Sequence, residues 1–217
     1  MRPRTAALIA AAGEGRRLGR GPKALVAVGG VTLMELALRA LDPHVDEVVV
    51  AVPPGSLATW PARQGVTYVE GGETRQSSVR AMLEATTADH VLVHDVARPF
   101  LPAEVVLRVQ RAARTHGAAS AALGVADTVV TSDGRELDRS ALLAVQTPQG
   151  FDRRLLAEAH ESAATSGYQG TDDAGLVRRL GGHVELVEGS PLLMKVTRPE
   201  DLLLAEALLA LRGATSR

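Results

Sequence analysis

Short apolar runs alternate with amphipathic stretches along this chain. The runs AALIAA (6–11), EVVVAV (47–52), VTYVE (66–70), HVLVH (90–94) and GAASAALG (117–124) predict β-strands. Most lack the polar alternation of a half-exposed strand, which suits strands buried on both faces of a sheet. Helical periodicity occupies 32–41, weakly 56–63, and then 74–86 and 102–116. The last begins after Pro99 and Pro102 and closes at Gly117, as helix start and stop signals require. The alternation predicts a three-layer α/β fold, with a mostly parallel twisted sheet, right-handed crossovers and helices on both faces.

Beyond 124 the rhythm changes. Residues 126–147 hold two modest strands around SDG, a hairpin turn signal, and predict a β-arm that leaves the sheet and offers a dimer contact. Helical periodicity returns at 152–166 and 172–180. HVELVEG and LLMKV read as late strands, and 199–211 is a leucine–alanine helix opened by Pro199. No repeat, low-complexity tract or linker divides the chain, so 1–217 reads as a single domain with its arm at about 126–147.

Composition narrows the chemistry. Apolar residues make up 46%, but with two Phe, two Tyr and one Trp the core must be aliphatic. A net charge of −1 argues against a general nucleic-acid or membrane surface, so a cationic site has to be built by local clustering. Without cysteine there is no disulfide or thiolate chemistry, and zinc loses its commonest soft ligand. No apolar stretch reaches the roughly 18 residues of a membrane span. The short run behind Arg2 and Arg4 passes straight into a glycine–arginine loop with no convincing cleavage site, and a cytoplasmic protein is expected.

That loop, AAAGEGRRLGRGPKA (10–24), follows the first strand, where an open α/β sheet binds its ligands. Glycines let backbone N–H groups approach an anion, and Arg16, Arg17, Arg20 and Lys23 add charge. Two familiar templates fail on specific residues. A P-loop needs Ser or Thr after its lysine, but Ala24 follows Lys23 and Pro22 precedes it. A dinucleotide fingerprint needs a sixth-position glycine and an acid ending strand two; Leu18 and Val52-Pro53-Pro54 stand there.

What remains, a small residue then Ala-Ala-Gly-x-Gly-Arg-Arg and shortly Pro-Lys, resembles the nucleotidyltransferases that activate a sugar or polyol phosphate with a nucleoside triphosphate. Later stretches narrow the resemblance. GGETRQSSV (71–79), VLVHDVARPF (91–100), ADTVV (126–130), DRSALLAVQTPQGF (138–151), TDDAGLV (171–177) and KVTRPEDLLLAE (195–206) follow in the order and spacing of the 2-C-methyl-D-erythritol 4-phosphate cytidylyltransferase family. The match runs from about 6 to 208. It implies a Rossmann-like nucleotidyltransferase fold, CTP and methylerythritol phosphate as substrates, a divalent cation (usually Mg²⁺) and a homodimer joined by the arm.

The resemblance also implies roles. Arg17 and Lys23 would stabilise the transition state, together with Arg139 and Lys195. Ala11, Ala12, Gly13 and Gly15 would hold the triphosphate, and Gly72, Glu73, Arg75 and Ser78 the nucleotide. Asp95 matches a residue near ribose, metal and substrate, and Arg98 a substrate-side or structural arginine. Thr128, Arg139, Thr147 and Lys195 match contacts to the methylerythritol phosphate. The family's arm reaches across a dimer, which leaves Arg139 to its own or the partner's site. The chain departs from the family where Ala10 replaces a common proline, where Ala24 and Leu25 replace a frequent glutamine and aromatic, and where Glu73 replaces a frequent Asp.

Physical reading of the same residues agrees. An ionised phosphate needs no activated side-chain nucleophile; positioning and charge stabilisation carry nucleotidyl transfer. No GxSxG is present. Several residues read better as structure. His94 suits packing, Thr74 and Thr171 suit helix caps rather than a metal site at TDD, Arg198 suits bracing, and Arg16 and Arg20 suit bystanders. The rivals are a ribitol 5-phosphate cytidylyltransferase and a non-catalytic nucleotide-binding domain. Arg139 and the arm around Thr128 favour methylerythritol phosphate, and the retained cations favour catalysis.

Overall fold

The computed structural model describes residues 2–15, 18–19 and 21–215. Strand β1 (Thr5–Ala10) shows why the sheet needs cover on both faces. Ala6 and Leu8 enter one core while Ala7 and Ile9 enter the other, all fully buried. The small pair β2 (Ala27–Val28) and β3 (Val31–Thr32) leads into helix α1 (Leu33–Leu41) and strand β4 (Glu47–Val52). Thr32 caps α1 by accepting from the Glu35 N–H at 3.1 Å. Leu33, Ala37, Leu38 and Leu41 form its buried stripe. Then come β5 (Val66–Glu70), α2 (Arg75–Glu84), β6 (His90–Asp95), α3 (Ala103–His116) and β7 (Ala118–Gly124). A small hairpin of β8 (Val129–Val130) and β9 (Glu136–Leu137) precedes β10 (Leu143–Asp152), α4 (Arg153–Thr165), α5 (Asp173–Arg179), β11 (Glu185–Glu188) and α6 (Pro199–Thr215).

Seven strands form one sheet in the order β11-β7-β10-β6-β1-β4-β5. β1 runs parallel to β4 and β6, with Ala10 level with both Ala51 and Asp95. The carboxyl ends of the three central strands therefore share one edge, where their loops converge. Helices α1, α3 and α6 bury their apolar residues on one face, and α2, α4 and α5 on the other. The three-layer, mostly parallel α/β fold expected from the sequence is the fold observed.

Four local expectations change. Leu143–Asp152 is a ten-residue strand, antiparallel to β6 and β7, whose first five residues take the end of the stretch that the sequence reads as an arm. Its buried half contains Gln146, Thr147 and Gln149, a polar stretch that a search for apolar runs passes over. The 56–63 helix shrinks to a single 3-10 turn, Leu57–Thr59, with Pro61 close behind. LLMKV is no strand. Pro191 lacks the N–H a ladder needs, and Ser190 starts a 3-10 turn by accepting from the Leu192 N–H at 3.2 Å. The cap of α5 is Asp172 rather than Thr171, its carboxylate accepting from the Gly175 N–H at 2.9 Å. Among the described residues no helix is long and apolar enough to cross a membrane.

Candidate active site

The loop after β5 and the loop after β1 touch. A Cβ on Gly71 would collide with the Ala12 Cβ, so only glycine permits this approach. The Gly71 N–H donates to the Val52 carbonyl at 2.8 Å, which fixes the loop to the end of β4. Thr74 then opens α2 with a reciprocal capping box to Ser77. On the other side, the Lys23 N–H donates to the Gly13 carbonyl at 3.1 Å and closes the glycine loop on itself.

A cavity of about 710 Å³ opens between these loops. Ala12, Gly13, Gly15 and Lys23 line it from the β1 side, and Gly72, Glu73, Arg75 and Ser78 from the α2 side. A second cavity of about 440 Å³ takes Arg98 and Thr147 into its wall. Arg75, Asp95 and Lys195 line both cavities. Residues from β6, α2 and the segment before α6 thus form a shared partition.

The partition is a line of alternating charge. Asp95 accepts from Arg75 Nε through Oδ1 at 2.8 Å and from Lys195 Nζ through Oδ2 at 2.6 Å. Arg75 Nη1 donates to Asp173 Oδ2 at 2.6 Å, and the other oxygen of Asp173 meets His160 Nε2 at 2.9 Å. Burial by itself would raise the Asp95 carboxyl, but Arg75 and Lys195 outweigh it and hold it well below the usual carboxylate range. Asp173 is likewise held low against burial by Arg75 and His160. Burial disfavours charge on Arg75 as well, yet Asp173 and Asp95 hold its pKa above that of a free guanidinium.

His94 is fully buried behind this wall, and burial pushes its pKa down to about 4. Its neutral ring donates from Nε2 to the Arg98 carbonyl at 3.0 Å and accepts at Nδ1 from Thr147 Oγ1 at 3.1 Å. Thr147 Oγ1 in turn accepts from the Asp95 N–H at 3.1 Å. His94 is therefore a packed bridge, as the sequence suggested, and it orients Thr147. Lys23 Nζ donates to the Val196 carbonyl at 2.9 Å, and Arg98 Nη1 to the Leu193 carbonyl.

Other sequence candidates lie elsewhere. Ala11 is fully buried in the core, and its N–H donates to the Ala51 carbonyl at 3.0 Å. Thr128 and Arg139 are exposed and line neither cavity; Arg139 Nη1 donates to the Ala126 carbonyl. Arg16, Arg17 and Arg20 lie outside the described residues. Ala10 lines the first cavity and Ala24 is buried, so both departures sit next to the nucleotide loop without adding charge. Among the described residues no group of three or more His, Asp or Glu could hold a metal ion. Asp95, the carboxylate that the sequence reading named as a metal ligand, lines both cavities.

Comparison with known proteins settles the family. The model for 2-C-methyl-D-erythritol 4-phosphate cytidylyltransferase, IspD, matches residues 5–211. The chain belongs to this family. A relative of that name from Deinococcus radiodurans is 55% identical over 210 residues, covering 95% of this chain and 90% of the relative. The crystal structure of the Thermus thermophilus enzyme has a TM-score of 0.86 at 47% identity, covering 96% of this chain and 98% of that one. A synthase structure from Anaerococcus prevotii has a TM-score of 0.83 at 28% identity, covering 96% of each chain.

Within this cytidylyltransferase fold, the sequence reading missed part of the second cavity. Gln146, Gln149, Asp172 and Arg178 line it. Gln149 donates to Asp172 Oδ2 at 2.7 Å and accepts from the Ala174 N–H at 3.1 Å, tying β10 to α5. His160 and Asp173 were also missed as the far end of the charge line. The available signal was a polar QTPQ inside an otherwise apolar strand, since buried polar groups need partners.

Proposed function

We propose that this chain transfers CMP from CTP to 2-C-methyl-D-erythritol 4-phosphate, releasing pyrophosphate and forming 4-diphosphocytidyl-2-C-methyl-D-erythritol. The observation that carries the reading is the pair of cavities divided by Arg75, Asp95 and Lys195. A two-substrate phosphate transfer needs a donor chamber and an acceptor chamber with cations between them. CTP fits the larger, with its triphosphate over the Gly13–Gly15 backbone and its base toward Gly72, Glu73 and Ser78. The acceptor phosphate fits the smaller, beside Arg98, Thr147 and Lys195.

The acceptor phosphate is already ionised and attacks the α-phosphorus as the bond to pyrophosphate breaks. Lys23 and Arg17 offset the charge that gathers on the α-phosphate and the leaving group, and Lys195 orients the incoming phosphate. A divalent cation such as Mg²⁺, held by Asp95 and substrate phosphates, would supply further charge neutralisation when bound. Asp95 retains lone pairs for it beyond those used by Arg75 and Lys195. A homodimer completes the proposal. Thr128 and Arg139 are exposed outside both cavities of their own chain, and Val130 and Leu143, close to them in sequence, are exposed as well. An arm reaching a second copy would bring them to an acceptor site.

The test is pyrophosphate release with CTP against a small panel of phosphorylated polyols. Release with methylerythritol phosphate and little with ribitol 5-phosphate is expected. The opposite preference overturns the acceptor. Tight CTP binding with no release on any acceptor overturns catalysis.

A further inference from the structure

Gln146 has its side-chain amide committed to one main-chain residue. Its Nε2 donates to the Ser190 carbonyl at 2.9 Å, and its Oε1 accepts from the Ser190 N–H at 3.1 Å. The side chain thus behaves as one rung of a β-ladder. It is buried, at 7% exposure, so loss of either bond would leave a buried polar group unpaired. The neighbouring position is shaped around it. A Cβ on Gly189 would collide with Gln146 Oε1, while the Gly189 N–H donates to the Ala122 carbonyl at 2.7 Å.

The segment held at Ser190 is the one that delivers Lys195. Ser190 opens the 3-10 turn Pro191–Leu193, and the Leu193 carbonyl accepts from Arg98. Two residues on, Lys195 reaches Asp95 at 2.6 Å. Val196 then donates its N–H to the Ala97 carbonyl at 2.8 Å and accepts from Lys23 Nζ at 2.9 Å. The far end is therefore pinned to the loop after β6. The near end is pinned by Gln146. Lys195 lies between those two pins.

We infer that Gln146 is a positioning residue for this reaction, clamping Ser190 so that the 189–196 segment holds Lys195 on Asp95. The inference rests on the proposed cytidylyl transfer. Gln146 lines the acceptor cavity, yet its amide is engaged by the loop on both its donor and its acceptor side. It acts through Lys195 rather than on the substrate.

The experiment pairs kinetics with hydrogen exchange on the whole protein without substrate. Gln146→Leu should lower kcat by up to about 100-fold, the cost of a misplacement of about 1 Å. Gly189→Ala, which displaces the Gln146 amide from Ser190 without substituting any residue that lines a cavity, should lower kcat in the same direction. On a Lys195→Ala background, Gln146→Leu should cost no more than about twofold, because coupled sites are not additive. Exchange at the Ser190, Leu193 and Val196 amides should accelerate in Gln146→Leu while the β1, β4 and β6 amides stay protected. Unchanged exchange at those three amides overturns the inference, whatever the wild type turns over. So does a raised acceptor KM at unchanged kcat, which would make Gln146 a substrate contact, or a full Gln146→Leu penalty on the Lys195→Ala background. A wild type that exchanges as described but turns over no methylerythritol phosphate counts against the proposed function and leaves the clamp standing.

Discussion

Arg75 and Asp95 meet at 2.8 Å across the partition between the two cavities, and each is held from behind by a group of opposite charge. Lys195 grips the far oxygen of Asp95, and Asp173 grips the far end of Arg75. Asp95→Asn keeps the shape and removes the charge that balances Arg75 and Lys195. Loss of a preorganised charge at a transferring phosphate costs about 100- to 1000-fold in turnover, and that range is expected here. Asp173→Asn should destabilise the fold, because His160 and one end of Arg75 lose a buried charged partner while Arg75 keeps Asp95. Its turnover should fall less, since Asp173 lines neither cavity. Chemical denaturation and kcat for the two variants make the comparison. An Asp173→Asn enzyme that folds but is as inactive as Asp95→Asn would mean that holding Arg75, rather than the Asp95 charge, governs the rate.

Lys23 combines a cavity position with an anchor. Its Nζ lies on the Val196 carbonyl, and its backbone closes the glycine loop. Lys23→Ala should depress kcat strongly, by about 100-fold or more for a cation on the reacting phosphate. The thermal midpoint should move little, because the backbone bond to Gly13 survives the substitution. Steady-state pyrophosphate release and a melting curve check both halves. Near-normal kcat removes Lys23 from the chemistry.

Those residues also show what a sequence can disclose. Lys23, Gly72, Arg75, Ser78, Asp95 and Lys195 line one cavity; the family resemblance names all six, and hydrophobic periodicity adds only that Gly72, Arg75, Ser78 and Asp95 stand where a strand ends or a helix begins. β10 escaped because its core half is QTPQ, whose polar groups are satisfied by partners distant in sequence: Ser190, Asp172 and Ala174. Asp173 and His160 escaped for the same reason. Their burial is explained by a charge line that only the folded chain assembles. LLMKV looked like a strand because hydropathy cannot see that Pro191 and the Ser190 cap divert the backbone.

His94 makes the stability of the fold depend on pH. Its folded pKa of about 4 lies below the ordinary histidine value of about 6.5. Between those values the unfolded chain takes up a proton that the folded chain refuses, so stability falls as pH falls through this window and is retained above it. The full span corresponds to roughly 3 kcal/mol at about 1.4 kcal/mol per unit. Asp95 and Asp173, both held low, begin to lose their contributions from about pH 5 downward, so the stretch above it reports on His94 without them. Denaturant midpoints should decline from pH 7 to 4, and the decline should be shallower in His94→Gln. Equal slopes would place the dependence on other groups.

The arm is best tested by mixing. Thr128 and Arg139 stand exposed outside both cavities, whereas Lys195 lies in the partition. Arg139→Ala should chiefly raise the acceptor KM, and Lys195→Ala should lower kcat. If the arm serves a second copy, co-refolding the two variants forms mixed dimers in which one site has an intact Lys195 and receives an intact arm. Activity should then exceed that of either variant alone. If each arm serves its own chain, every site in the mixture carries one defect and no activity is regained. Sedimentation of the mixture separates that outcome from a failure to associate, because dimers without regained activity assign Arg139 to its own chain and monomers exclude the arm as a joining element.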